Sequence, residues 1–134
     1  MSLLKRVTSP EVAEPPPESF SQCLVAGDLI FISGQIARGG DGQIEGDGTM
    51  LSQATIALGK IKALLEAAGA TMDDVAKLNV YVTDITRRVE IGAARKKFFT
   101  GDFPTSTLVE VAALVEPGLL VEIEATAVHP RSRR

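Results

Sequence analysis

The chain has 134 residues, of which 45% are hydrophobic, 4% aromatic and 23% charged, and its formal net charge is −3. This length and composition predict one domain over residues 1–134 with an aliphatic core, and the acidic balance argues against nucleic acid as a partner. No apolar run approaches the about 18 residues that a membrane helix needs. The single cysteine, Cys23, excludes an internal disulfide and is typical of a reducing compartment. We therefore expect a cytoplasmic protein with neither a membrane nor a nucleic-acid partner.

The first third of the chain predicts strands separated by loops. In order they are a strand over Leu3–Thr8, a Pro-rich loop over 10–19, strands over Phe20–Val25 and Leu29–Ile36, and a glycine-rich loop over 38–48. Residues 1–19 thus form an N-terminal strand and a Pro-rich loop. Because Leu29–Ile32 is uniformly apolar, we expect both faces of that strand to be covered. Cys23 is interpreted as a small buried hydrophobe.

Helical spacing begins near Thr49 and continues to Ala68. The apolar stripe consists of Leu51, Ala54, Leu58, Ile61, Leu65 and Ala68. Gly69 is the expected left-handed stop of this helix. A second helix is predicted over Thr86–Phe99, ended by Gly101, with Val89, Ile91, Ala94 and Phe98 facing inward.

The remaining elements are three strands and a tail. Val75–Thr83 alternates and predicts a strand with one buried face. Phe103–Val111 and Leu120–Ala125 are interpreted as a β-hairpin, because Pro117-Gly118 suits a type II turn. The order β-β-β-α-β-α-β-β predicts an α+β fold with two helices packed on one face of a mixed sheet. Residues 130–134 are expected to form a flexible tail.

Several motifs, in order along nearly the whole chain, resemble the YjgF/RidA family of reactive-intermediate deaminases, also called endoribonuclease L-PSP. They are Phe20-Ser21-Gln22, Leu29–Ile36, Leu64–Gly69, Val80–Asp84, Val109–Leu114 and Val121–Ala125. The resemblance implies a chorismate-mutase-like α+β fold and a homotrimer that binds a small-molecule ligand in clefts between subunits. The sequence has no metal-ligand spacing and no phosphate-binding glycine loop, so we expect neither a metal nor a cofactor.

The resemblance also implies pocket residues. Ser33 and Gly34 match positions that line the pocket, and Phe20 replaces a tyrosine there. Glu122 matches the carboxylate that positions or activates water, which makes it the candidate catalytic residue. The alternatives are that Glu122 is tied to backbone amides at a subunit junction and that Gly34 only marks a bulge. Glu110 is interpreted as structural.

The third pocket segment is Pro104-Thr105-Ser106-Thr107, where deaminating members read Pro-Ala-Arg-(Ser/Thr). Ser106 thus replaces the arginine that would hold a substrate carboxylate, and Gly92 and Leu108 replace a common asparagine and cysteine. Thr105, Ser106 and Thr107 can bind a neutral polar ligand, or a carboxylate through neutral donors, or can simply favour a strand. Because no serine reproduces a bidentate arginine contact, we expect weak deamination of enamine acids.

Three functions remain open at this point. The first is an imine or enamine hydrolase, a deaminase with altered substrate choice. The second is a non-catalytic module that binds a metabolite or a partner in the same clefts. A ribonuclease ranks third, because acid–base cleavage of RNA usually needs a histidine or lysine pair beside a basic surface. Arg95 or Arg38 can supply a cation, but the sequence places neither in the pocket.

Overall fold

A computed structural model describes residues 3–130, so the predicted tail lies outside the described residues from position 131 onward. The strands are β1 (Leu4–Val7), β2 (Cys23–Ala26), β3 (Leu29–Gln35), β4 (Val75–Val82), β5 (Thr105–Glu110) and β6 (Val121–Val128); the helices are α1 (Met50–Ala67) and α2 (Arg88–Arg95), with 3₁₀ turns at Met72–Asp74 and Ile85–Arg87. The strands form one mixed sheet in the order β1-β2-β3-β6-β4-β5. The predicted α+β class and element order are confirmed.

Helix α1 forms where the periodicity predicts it. Thr49 caps its N-terminus, since the Thr49 side chain accepts a hydrogen bond from the Ser52 backbone N–H at 3.0 Å. At the other end Gly69 adopts a φ of 84°, a conformation that glycine tolerates without steric cost. The predicted stripe is buried at Ala54, Leu58, Ile61 and Leu65 against β3 and β6. Over residues 3–130, no helix is long and apolar enough to cross a membrane.

The second helix is shorter than predicted, and one residue predicted to face inward faces outward. A 3₁₀ turn occupies Ile85–Arg87, and α2 ends at Arg95. Ile91 and Ala94 are buried as expected, but Val89 is 79% exposed, so the prediction that it faces inward is wrong. Val89 precedes Ile91 by two positions, which is about 200° around a helix of 3.6 residues per turn. The two side chains therefore lie on opposite sides.

The predicted hairpin of the last two strands is wrong. β5 pairs in parallel with β4, whereas β6 lies between β3 and β4 and is antiparallel to both. The buried Gln53 of α1 fixes the connection between β5 and β6: its amide donates to the Gly118 carbonyl at 2.9 Å and accepts from the Leu120 N–H at 2.8 Å. A turn is present at Pro117-Gly118, where Gly118 has a φ of 92°. It lies in the connection that crosses from β5 to β6, and it does not form a hairpin.

The two faces of the sheet differ in character. Ile30 and Ile32 are buried beneath the helices, whereas Leu29 and Phe31 are 41% and 46% exposed. The expectation that both faces of β3 are covered is therefore wrong within this chain. We call the uncovered side the open face; by strand register it carries Leu29, Phe31, Asn79, Tyr81, Thr105, Thr107, Val109, Glu122, Glu124, Thr126 and Val128.

Cys23 belongs to the covered face. It is fully buried in the core, and this burial raises the pKa of its thiol to about 11. A thiol in such a setting stays protonated and unreactive. The interpretation of Cys23 as a small buried hydrophobe is confirmed.

Candidate functional site

Glu122 of β6 lies directly against Gly34 of β3. A Cβ atom at position 34 would stand 2.6 Å from the Glu122 Cδ atom and 2.8 Å from its Oε2 atom. Gly34 also lies where the register between β3 and β6 shifts, between Ile32 and Gln35. The bulge and the pocket interpretations of Gly34 therefore describe the same place, because the irregular backbone makes room for the carboxylate.

The surroundings of Glu122 favour its neutral form. Burial raises the pKa of the Glu122 carboxyl, and the charge of nearby Glu124 adds to this effect. Glu124 is held two residues along β6, where its Oε1 accepts hydrogen bonds from the Tyr81 hydroxyl at 2.6 Å and the Asn79 amide at 2.9 Å. The two carboxyl groups thus differ in their surroundings: Glu124 is engaged by two side-chain donors, whereas Glu122 is half-buried and has a raised pKa.

Glu122 and Gly34 line a cavity of about 510 Å³. Phe20 also lines it, so three of the residues that the sequence singled out come together here. The Pro-rich loop forms one wall through residues 12–16, and the glycine-rich loop forms another through Gly39, Gly40 and Gly42. A volume of this size is typical of sites for small ligands.

Ser33 lies beside the cavity and is engaged in a hydrogen-bond network. Its hydroxyl donates to the Gln22 Oε1 atom at 2.7 Å, and the Gln35 amide donates to the same oxygen at 2.8 Å. Gln22 in turn donates to the Ala13 carbonyl at 3.1 Å. Ser33 therefore holds the Pro-rich loop over the cavity through Gln22. Gln22 was part of the Phe20-Ser21-Gln22 motif, but sequence reasoning gave it no role.

The cavity is also lined by two cationic residues, Lys60 and Arg38, which the sequence did not place in the pocket. Lys60 of α1 donates to the Ile36 and Arg38 carbonyls at 2.8 and 2.5 Å, and burial lowers the pKa of its amine. Arg38 forms an ion pair with Glu116 at 3.0 Å. Both cations thus contact protein groups that close the loop after β3.

The predicted β5 residues do not line this cavity. β5 is the edge strand of the sheet, separated from β6 by β4. Ser106 faces the helices, where the Arg95 Nη1 atom donates to its hydroxyl at 2.9 Å. Thr105 and Thr107 belong to the open face, and the Thr105 hydroxyl donates to the Ala76 carbonyl at 3.0 Å. One chain therefore holds the predicted site in two separate parts, which we call the cavity part (Phe20, Gly34, Glu122) and the edge part (Thr105–Thr107).

Glu110, at the end of β5, has a structural contact. Its Oε1 atom accepts a hydrogen bond from the backbone N–H of Ile85 at 3.0 Å. This contact ties the start of the 3₁₀ turn before α2 to the edge strand. This contact supports the structural interpretation of Glu110.

The sequence matches the profile of the family described as endoribonuclease L-PSP over residues 11–129. The 2-iminobutanoate/2-iminopropanoate deaminase of Dermatophagoides farinae is 33% identical over 124 residues, covering 92% of this chain and 96% of that protein. A crystal structure of a protein of unknown function from Pseudomonas aeruginosa has 42% identity and a TM-score of 0.85, covering 97% of this chain and 95% of that one. The structure of E. coli TdcF with bound serine has 32% identity and a TM-score of 0.81, with coverages of 92% and 98%. By sequence and by fold, the chain belongs to the YjgF/RidA family, the endoribonuclease L-PSP family.

Proposed function

We propose that this protein is a homotrimer that binds a small imine or enamine in clefts between its subunits and hydrolyses it with release of ammonia. The observation that carries the proposal is the Glu122 carboxyl, which lies in the cavity against Gly34 with a raised pKa. Relatives that are named 2-iminobutanoate/2-iminopropanoate deaminases support this reaction type. The E. coli relative with bound serine supports a small ligand.

The separation of the site into two parts supports a cleft between subunits. The cavity part lies near β3 and β6, and the edge part lies on β5 at one end of the sheet. A neighbouring copy that places its β5 edge over this cavity would complete the site. The open face supplies a reason for such assembly, since Leu29, Phe31, Val109 and Val128 leave apolar surface that a second copy can bury.

Glu122 suits both proton transfers of imine hydrolysis. The substrate reacts as the protonated imine: water adds to its carbon, the Glu122 carboxylate accepts a proton from that water, and the carbon–nitrogen π electrons become the nitrogen lone pair of the carbinolamine. Glu122 then returns the proton to nitrogen, and ammonia leaves as the carbon–oxygen double bond forms. The remaining hydroxyl proton passes to the Glu122 carboxylate and from there to ammonia, which departs as ammonium. A carboxyl whose pKa is raised towards the working pH can act in both directions.

The test is ammonia release from a freshly generated 2-imino or enamine acid. Glu122→Gln should lower kcat by about 10²- to 10⁴-fold, the usual contribution of a general acid–base group. Glu66→Gln is the matched control, because Glu66 is an exposed glutamate on α1 away from the cavity. Wild-type activity in Glu122→Gln would contradict the role of Glu122.

A non-catalytic binding module is the second candidate. Ser106 favours it, because a neutral hydroxyl stands where the family resemblance leads one to expect a guanidinium. The same assay separates the two functions when binding is measured alongside turnover. A wild-type protein that binds a 2-keto or 2-imino acid but releases no ammonia is a binding module.

A further inference from the structure

Arg95, Ser106 and Gly92 form one corner at the outer end of the sheet, which we call the Arg95 corner. Arg95 is the last residue of α2, and its Nη1 atom donates to the Ser106 hydroxyl at 2.9 Å. Gly92 lies one turn earlier, where a Cβ atom would stand 3.9 Å from Arg95 Nη2, in ordinary van der Waals contact. The guanidinium thus joins the end of α2 to the edge strand through a solvent-exposed hydrogen bond.

Arg95 differs from other arginines of the protein in its partner. Arg6, Arg38 and Arg87 each contact a glutamate within 3.0 Å. Among residues 3–130, the contact recorded for the Arg95 guanidinium is a neutral hydroxyl. A guanidinium has five N–H donors, so most of those on Arg95 are available to a second molecule.

Its place at the end of a helix does not by itself account for this arrangement. A cation in the last helical turn is favoured by the exposed carbonyls of that turn. That attraction requires only a positive charge, whereas the Ser106 contact also fixes the orientation of the planar fork. A fixed fork is the arrangement that binds a carboxylate through two parallel hydrogen bonds.

We propose that Arg95 binds the carboxylate of an anionic substrate, a 2-imino or 2-keto acid, and that Ser106 positions the guanidinium for it. This inference rests on the proposed function, because the Arg95 corner reaches the cavity only across the interface between two copies. The guanidinium comes from α2 instead of β5, so the bound carboxylate is displaced relative to one held from the strand. Substrate choice is altered for this reason, and the replacement at position 106 does not remove carboxylate binding.

The experiment compares two small ligands of nearly the same shape, pyruvate and its neutral amide, by calorimetric titration. Arg95→Gln should weaken pyruvate binding about 10- to 100-fold, the usual effect of losing hydrogen bonds to a charged group, and leave binding of the amide unchanged. Arg95→Lys keeps the charge without the planar fork, so its pyruvate affinity should lie between those of the wild type and Arg95→Gln. Arg88→Gln removes the same charge from an exposed position on α2 and should bind pyruvate like the wild type.

A double variant tests whether the place of the guanidinium matters. Arg95→Gln combined with Ser106→Arg supplies the fork from β5, and it should regain pyruvate affinity lost in Arg95→Gln. No gain over Arg95→Gln would count against a carboxylate at this corner. Equal pyruvate binding by the wild type and Arg95→Gln, or equal loss of both ligands, would overturn the role of Arg95 alone. If the wild type binds neither ligand, the proposed function fails as well.

Discussion

Glu122 approaches Gly34 so closely that a methyl group at position 34 would stand 2.6 Å from the Glu122 Cδ atom. The backbone of Gly34 does not have a positive φ, so its conformation is open to other residues. What requires glycine at this position is the carboxylate above it. The contact therefore links the irregular register of β3 to the placement of the candidate catalytic group.

Gly34→Ala should displace the Glu122 carboxyl while leaving the fold intact. A misplacement of about 1 Å can cost about 100-fold in rate, and the added methyl group should lower the free energy of unfolding by about 1–3 kcal/mol. The measurements are kcat/KM for ammonia release and urea unfolding. Gly59→Ala is the control, because a Cβ atom there meets nothing within 4 Å on α1; it should keep activity and gain about 0.5–1 kcal/mol. Full activity in Gly34→Ala would show that the position of Glu122 is not critical.

The stability of the protein should depend on the ionisation of Glu122. Its folded-state pKa is raised, so between the ordinary glutamate pKa of about 4.3 and the raised value the folded state binds more protons than the unfolded state. The free energy of unfolding must fall as pH rises through this window. Urea unfolding of wild type and Glu122→Gln across pH should show the glutamine variant gaining relative stability with rising pH. A difference that is constant with pH, or opposite in sign, would contradict the raised pKa.

Leu65 and Val89 test the two predicted apolar stripes, since Leu65 belongs to the stripe of α1 and Val89 to that of α2. Leu65 is fully buried, so Leu65→Ala should lower the free energy of unfolding by about 2–5 kcal/mol. Val89 is 79% exposed, and Val89→Ala should change it by no more than about 0.5 kcal/mol. Chemical denaturation of both variants gives the comparison. A loss below about 0.5 kcal/mol for Leu65→Ala would mean that the stripe of α1 does not face the core.

Local patterns predict α1 well because its apolar stripe and its glycine stop indicate the same helix. The same kind of reasoning fails at Val89, because the predicted stripe included both Val89 and Ile91, which lie two positions apart and therefore on opposite sides of α2. It fails again for the hairpin, because the pattern of β6 shows only that Val121 and Ile123 need a covered face. Which strands lie beside β6 depends on contacts across the sheet, such as those of Gln53 with the crossover.

The candidate site likewise has one part that the sequence predicts and one part that it does not. The motifs around Gly34 and Glu122 could be found in the sequence because each belongs to a strand with a recognisable pattern. The contact between Arg95 and Ser106 could not, because it joins a helix end to an edge strand eleven positions later. The residue pattern of α2 or of β5 alone does not predict which group the long Arg95 side chain contacts.

Light scattering should show a particle of about three times the 14.2 kDa chain mass. The open face leaves Leu29, Phe31, Val109 and Val128 uncovered in one chain, and burial of each large apolar side chain contributes about 1.5–3 kcal/mol. Three copies that cover this face would also bring the two parts of the site together. A stable monomer at micromolar concentration would end the proposal of intersubunit clefts.

Phe31→Glu tests which face drives this assembly. Phe31 is 46% exposed in the single chain, so a glutamate there can remain hydrated in an isolated subunit. In the trimer the same carboxylate would be buried on the open face without a partner, which is costly. The variant should therefore keep its circular dichroism spectrum but scatter light as a smaller particle, and ammonia release should fall with the loss of the trimer. Lys62→Glu places an exposed carboxylate on α1, on the covered side of the sheet, and should remain a trimer. If Phe31→Glu assembles and turns over substrate like the wild type, the subunits do not meet through the open face, and the two parts of the site must be joined in another way.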